Sequence, residues 1–413
     1  MEKISLKSVF FSKPFIYITY FIILLSTCNI NIGAVTTATE IFSFMLSFIV
    51  IGGYILEKKY SKFSFILLIF MIAGIVVSIL GEKSSLKLFI KSYYKIIAIS
   101  LMTELGIRTE CKKTLGILSR VLFILVLVNF YTIIRYQIGK PIFGYNLNNW
   151  FFKYDNIHIL FFLPAIIVSM ISLKLQKENK IMNFVLISMI TYQVYYCFSA
   201  NTVVVYTLLL IYLLFYKVID GFKVFSPKNY FYIFFIIFIG IVIFRVQDIL
   251  SWLIVDILGK DLTFTGRTII WNEIMEYIKI KPILGYGFET TDIISAKLGS
   301  RAFTHAHNTL LDLMYKCGIV LAGIFVYLLN IVIKQLEKHK NDKISKHVAF
   351  AMLCMFIMMN FEAREDRIGL YIILVLGYNI KYIINCMNER SIEEERLKYD
   401  KKNNEENNIP KYI

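Results

Sequence analysis

The sequence is poor in charge. Asp, Glu, Lys and Arg supply 18% of its 413 residues, while 57% are hydrophobic. An ordinary soluble domain has about 25% charged and roughly 45–50% apolar residues. Long polar stretches are equally scarce. About a dozen apolar runs, each close to the roughly 20 residues that cross a hydrocarbon core of about 30 Å, occupy nearly the whole chain. That excludes a soluble enzyme, a disordered protein and any large extramembrane domain. The runs are continuous rather than alternating, which excludes a β-barrel. Cysteine is sparse too: Cys28, Cys111, Cys197, Cys317, Cys354 and Cys386 show no CxxC or other metal spacing, so packing is their role and no disulfide framework is expected. No small-residue cleavage site follows the first apolar run, which comes after Lys3, Lys7 and Lys13 and leads directly into another. It reads as a retained signal anchor. Neither a sequence repeat nor a soluble-domain linker is present.

What charge there is has one sign in excess, a net +16. No basic stretch is long or aromatic-interleaved enough to form a nucleic-acid groove. The excess instead follows the positive-inside rule. With the N-terminus inside, the inner joints and tail carry 26 basic residues and the outer joints 13.

The expected fold is an all-α polytopic membrane protein of about 12 transmembrane helices. The spans read at 14–31, 40–56, 63–80, 88–105, 116–134, 157–173, 181–198, 201–216, 230–247, 306–333, 347–360 and 368–385. The fourth contains Lys91 and Lys95. Residues 1–385 form a single integral membrane domain, and 386–413 a charged cytoplasmic tail that frays into solvent. Both termini lie inside.

Two joints are long, and both fall outside: 135–156 and 248–305. Long loops without a structural excuse are usually functional. In the second, Trp271, Ile274, Met275 and Ile278 fall on one helical face with Asn272, Glu273, Glu276 and Lys279 opposite, an amphipathic helix on the membrane surface or capping the bundle. Residues 249–258, with Trp252, read as another interfacial helix. Either the loop tucks its own apolar face down, or it is a lid over a cavity opening outward.

The chemistry concentrates between Thr265 and Gly323. Arg267 follows Gly266 at a helix start, where backbone N–H groups and the positive helix end favour an anion. A guanidinium grips phosphate through paired hydrogen bonds, although an arginine here could equally snorkel to headgroups. Pro282, Gly285 and Gly287 mark a turn. His307 sits at the outer mouth of span ten, where an imidazole accepts a proton near neutral pH. Thr304 is the expected N-cap. Gly318, about 20° around a continuous helix from His307, would let a neighbour approach beneath it. His305-x-His307 is not read as a metal site, because no carboxylate or cysteine cluster completes it. Asp312 and Lys316 are spaced to pair, yet ionisable groups at membrane depth are functional candidates. Arg245 near the end of span nine lines the same cavity or snorkels. Lys281 and Arg301 suit a sugar diphosphate or anionic headgroups equally. Glu362, Arg364, Glu365, Asp366 and Arg367 form a charged outer joint expected to pair internally.

Three patterns stand in order: Gly266-Arg267-x3-Trp271, Pro282-x2-Gly285-x-Gly287, and His307-Asn308 followed by Gly318. Together they resemble the O-antigen ligase and polymerase superfamily. The resemblance implies a GT-C-like membrane glycosyltransferase that uses a glycan on undecaprenyl pyrophosphate, acts at the outer face of the bacterial cytoplasmic membrane and needs neither cofactor nor metal. It implies Arg267 as pyrophosphate ligand and His307 as general base for the acceptor hydroxyl, with Arg245, Lys281, Arg301, His305, Asn308 and Trp271 as substrate contacts. The partners implied are the lipid-linked donor and acceptor, the bilayer, and a chain-length regulator and flippase. Two departures stand out. The region 197–202 lacks the arginine many members carry near the eighth span, and Leu321 stands where a second glycine is often found. The second departure weakens a ligase more than a polymerase. The expected function is therefore a Wzy-type polymerase of surface polysaccharide such as O-antigen or capsule, with a ligase as the near alternative. A transporter or flippase is the alternative of another class, but its paired repeats and broken mid-membrane helices are not visible.

Overall fold

The computed structural model describes residues 12–30, 32–135, 149–176, 180–219, 221–222, 225–246, 266–300, 304–390 and 392. The expected interfacial helix at 249–258, Arg301 and the tail beyond 392 lie outside the described residues.

The chain is an all-α polytopic bundle with, among the described residues, one two-stranded hairpin. In chain order the elements are α1 (Lys13–Leu25), α2 (Gly33–Glu57), α3 (Lys62–Leu80), α4 (Leu86–Arg135), β1 (Asn149–Trp150), β2 (Lys153–Tyr154), α5 (Asp155–Gln176), α6 (Lys180–Cys197), α7 (Ala200–Ile219) and α8 (Pro227–Phe238), which runs on into a π-helical turn, Ile239–Ile243. There follow α9 (Arg267–Ile280), α10 (Thr291–Lys297), α11 (Thr309–Lys338), α12 (Lys343–Phe361) and α13 (Ile368–Tyr378).

Polar residues start these helices where orphan N–H groups need acceptors. Ser12 accepts from Phe15 N with Pro14 in the first turn, Ser61 and Ser64 form a reciprocal capping box, and Asp342 accepts from Ile344 and Ser345 N–H. Seven helices among the described residues are long and apolar enough to cross a membrane, eight if α13 and its continuation Ile380–Arg390, bent by 62°, count as one span. The twelve spans expected map onto these elements differently. Spans four and five run together as the 50-residue α4, broken only at Glu110, while α1 is too short. The bend after α13 is held by Asn379, which donates to Val375 O and accepts from Arg108 Nε at 2.9 Å.

Helices α5 and α12 are enclosed by neighbours, whereas α2 turns Ile41, Phe42, Met45, Phe48 and Ile49 outward. Apolar side chains facing away from a bundle are the surface a lipid solvent permits. Joints segregate to the two ends. At one end Asn29 N–H donates to Phe151 O at 2.7 Å, Ser85 N–H to Phe288 O at 2.9 Å, and Arg267 meets Glu362. At the other, Lys228 N–H meets Glu337 and Gln176 reaches Lys112 O. The first end gathers the joints that the charge count places outside.

Helix α11 departs from the expected straight span. Gly318 adopts φ +63, ψ −170 and interrupts it. The turn 282–287 docks into the break. Tyr286 and Gly287 N–H groups satisfy Tyr315 O and Lys316 O at 2.9 and 2.6 Å, while Pro282 O takes Ile319 N–H at 2.8 Å. A Cβ on Gly318 would lie 2.0 Å from Ile283 O, and one on Gly285, itself at φ +66, 2.5 Å from Tyr315 O. These two glycines are therefore required by positive φ and close backbone approach together. Gly287 sits at φ +83 against Ser84.

Candidate active site

Helix α9 is amphipathic, as its pattern predicts. It buries Ile270, Trp271, Ile274 and Ile278 against Val242, Leu311 and Tyr315. Gly266 caps it at φ +83 and delivers Arg267 as the first helical residue. Trp271 is nearly fully buried, and its Nε1–H donates to Ala306 O at 2.8 Å. Asp312 accepts Ala306 N–H at 3.0 Å. Both backbone groups of Ala306 are thus clamped, and the two histidines flanking it are held at one place.

Helix α11 begins at Thr309 with Asn308 as its N-cap, accepting from Leu310 and Leu311 N–H. Thr304 is therefore not the cap, and His307 does not share a helical face with Gly318: it precedes the helix, and the helix is broken between them. Asn308 is fully buried and donates to Asn360 O at 3.0 Å. Its polar atoms position the loop, as does the Trp271 indole N–H.

The residue that organises the site is Glu362, at the exit of α12. Its carboxylate receives Arg267 Nη2 at 2.7 Å on one oxygen; on the other, His307 Nδ1 lies at 3.2 Å, His305 Nε2 at 3.7 Å and Arg364 Nη2 at 3.6 Å. Asn156, from the N-terminus of α5, lies 3.4 Å from the same carboxylate, and Arg364 donates to Asn156 O at 3.2 Å. Thr309 Oγ1 donates to Glu362 O and accepts from Arg364 N–H. The outer joint does pair internally, Arg367 with Asp366 at 3.0 Å, but Glu362 and Glu365 also reach the loop and α11. The joint's charge was visible in the sequence; its proximity to His307, 55 residues away, was not.

Glu362 also corrects the reading that no carboxylate completes the histidine pair. His305, His307 and Glu362 each offer a ligand atom within 4.8 Å of one another. Two imidazoles and a carboxylate are a donor set that suits zinc. Arg267 and Arg364 on the same carboxylate oppose a dication there, because like charges repel and the oxygens are already engaged.

Burial works to raise the Glu362 carboxyl, but bonds from His305 and His307 and the charges of Arg364 and Arg267 outweigh it and hold it well below the usual carboxylate range. Burial lowers His307 from the ordinary imidazole value, opposed by its bond to Glu362. Burial also brings Arg364 down to about 10. A proton on His307 Nδ1 donates to Glu362 and leaves Nε2 as the basic lone pair, the arrangement in which a carboxylate orients a general base. His307 holds φ +48, an unfavourable conformation for a non-glycine residue. If neutral His307 is the base, transfer should stay level from pH 8 to about 6.5, the ordinary histidine value. It should fall only at lower pH, because the folded pKa lies below that value. A pH profile of transfer by the purified chain checks this; a decline already beginning above pH 7 contradicts it.

The remaining expected cations lie apart. Arg245 bonds Asn272 on α9. Lys281 pairs with Glu82 at 3.5 Å and lies over the Tyr286 ring. Asp312, Lys316 and Glu365 form a second ion cluster, with Lys316 on Asp312 and 2.9 Å from Glu365. Burial pushes the Glu365 carboxyl up to about 8 against the pull of Lys316.

Residues 141–326 match the family described as O-Antigen ligase. The chain is 32% identical over 78 residues to exopolysaccharide production protein ExoQ of Rhizobium meliloti, covering 16% of this chain and 18% of that protein. It is 32% identical over 124 residues to a candidate polysaccharide ligase of Rickettsia typhi and 30% over 126 residues to one of Rickettsia prowazekii. Each alignment covers 28% of this chain and 27% of the relative. The chain thus spans about a quarter or less of the length of these relatives. Across the segment that carries the β-hairpin, Arg267 and His307, the chain is similar to the family described as O-Antigen ligase.

Proposed function

We propose that the chain is a membrane glycosyltransferase of the polysaccharide ligase kind, moving a lipid-linked glycan onto a terminal acceptor at the outer face of the cytoplasmic membrane. The observation that carries the reading is the shared Glu362 carboxylate, which holds a partly exposed arginine and a partly exposed histidine side by side. In the proposed step His307 Nε2 takes the proton of the acceptor hydroxyl. The freed oxygen forms a bond to the anomeric carbon. The bond from that carbon to the pyrophosphate oxygen breaks, and its electron pair leaves on the pyrophosphate. Arg267, held on Glu362 by one nitrogen with its side chain 23% exposed, meets that charge. Stabilising a leaving anion with preplaced donors is commonly the largest part of such catalysis.

The names of the relatives favour a ligase over the polymerase expected from the sequence. Polymerisation onto the next lipid-linked repeat unit remains a second reading. It is favoured by Leu321, fully buried in α11 where a second glycine would suit a ligase better. A gel of surface glycan from cells with and without the gene tests both. Long chains that persist on lipid carrier but never reach the terminal acceptor identify a ligase. A single repeat unit on the acceptor identifies a polymerase. An unchanged glycan removes both.

A further inference from the structure

At the same end of the bundle lies a cavity of about 220 Å³ that the chemistry above does not use. Four cations line it: Lys91 and Lys95 of α4, Lys153 of the hairpin and Arg367 of the outer joint. Among the described residues two carboxylates, Glu40 and Asp366, face them, so positive charge is in excess. Lys95 pairs with Glu40 and Arg367 with Asp366, so the charges of Lys91 and Lys153 are in excess around the void, and half-buried Lys153 loses hydration there unless an anion is present.

Lys95 and Lys153 are built in. Lys95 is nearly buried, and its ammonium donates to Ser26 O at 3.1 Å and to Glu40 at 3.4 Å. Lys153 stands at φ +70. Its hairpin is tied by Phe151 O to Asn29 and by Phe152 N–H to Asn129 Oδ1 at 2.8 Å. Burial, with the nearby Arg367 charge, pulls the Lys153 ammonium down, a cost that a bound anion would relieve. Arg367 Nε is held 3.0 Å from Asp366 Oδ1 in an ion pair, which places its guanidinium at the cavity wall. Roughly 10–15 Å³ of such space holds one water, so the cavity accommodates a hydrated phosphate or diphosphate.

Its position is specific. Ile157 and Arg367 line the cavity, while Asn156 and Arg364, their near neighbours in sequence, touch Glu362. One wall therefore separates the cavity from the His307–Glu362–Arg267 cluster.

We propose that this cavity is a second phosphate-binding site, separate from Arg267, that takes the phosphate of a lipid-anchored molecule. This rests on the reading of the chain as an enzyme of lipid-linked glycans. The two phosphate loci then let two lipid-anchored molecules be held on either side of one wall.

The test is calorimetric titration of inorganic pyrophosphate into the full chain in phosphatidylcholine nanodiscs. Two sites per chain are expected. Arg267→Gln should remove one and leave the other. Lys91→Gln with Lys153→Gln should weaken the remaining site by about tenfold or more, since hydrogen bonds to charged groups are the strong ones. Lys153→Arg should retain it, and Lys91→Gln alone, at an exposed helix position, guards against misfolding. A single site in the parent chain, lost with Arg267→Gln and unmoved by the lysine changes, overturns the proposal. Repeating the titration in phosphatidylglycerol nanodiscs separates the sources. Loss of the second site there assigns it to a phospholipid headgroup, and persistence assigns it to a lipid-linked pyrophosphate. Binding is read without any glycan transfer. A failed glycan gel with an intact second site therefore removes the enzymatic reading alone.

Discussion

Replacing His307 with alanine is expected to lower glycan transfer by about 10²–10⁴-fold, the usual range for losing a positioned general base. Replacing Arg267 with alanine is expected to cost about 10²–10³-fold, as for a donor that meets charge developing in the transition state. The two losses differ in kind. His307→Ala removes the proton acceptor and should depress kcat with little change in KM. Arg267→Ala removes a group that meets pyrophosphate before and during the reaction, and should change both. Neither side chain is fully buried; the Arg267 and His307 side chains are 23% and 22% exposed. Both variants should therefore insert and purify like the parent. The measurement is transfer of a lipid-linked glycan by purified chain, with polymer length in cells as a second readout. Full-length surface glycan in cells carrying either variant would remove that residue from the chemistry.

The second large effect is expected at Glu362. Its side chain is only 4% exposed and faces Arg267, Arg364 and both histidines. Alanine there strands Arg364, itself nearly buried, without its closest counter-charge. Breaking a buried pair by removing one partner typically costs about 3–5 kcal/mol, so Glu362→Ala should lower the unfolding temperature in detergent markedly. Glu362→Gln preserves shape and one acceptor oxygen, and should fold. It should still lose activity, because the neutral amide no longer favours the imidazolium that forms as His307 takes a proton. Its pH profile should shift to lower pH for the same reason: the carboxylate raises the His307 pKa, and its loss lets burial lower that value further. A Glu362→Gln chain with the parent's activity and pH profile would leave Glu362 a purely structural role.

The region of the site was legible in the sequence; its geometry was only partly so. The Gly266-Arg267-x3-Trp271 pattern and the amphipathic period of α9 are local properties. The period of α9 and its start at Gly266 survive into the fold because a helix is decided by neighbours three and four residues apart; the cap expected at Thr304 moved to Asn308. The same holds for the Asp312–Lys316 pair. What failed was the assumption that α11 is straight from His307 onward. The break at Gly318 depends on the Pro282–Gly287 turn docking against it and satisfying the freed carbonyls. That turn lies some 30 residues earlier, where no periodicity argument reaches.

The sequence by itself determined that this is a helical membrane protein, which of its joints are long, and where its glycines, histidines and arginines concentrate. Composition and apolar run length settle those matters, because a lipid solvent demands internally satisfied backbone and apolar side chains along every crossing. Only the tertiary structure decided which charges meet. It brought Glu362 beside His307 and Arg267, made Trp271 and Asn308 into supports, and gathered Lys91, Lys95, Lys153 and Arg367 around one cavity. Coulomb interactions and hydrogen bonds act over a few ångströms of space, whatever the separation in sequence. Which joints share an end of the bundle, and in what order around it, is set by how the helices pack.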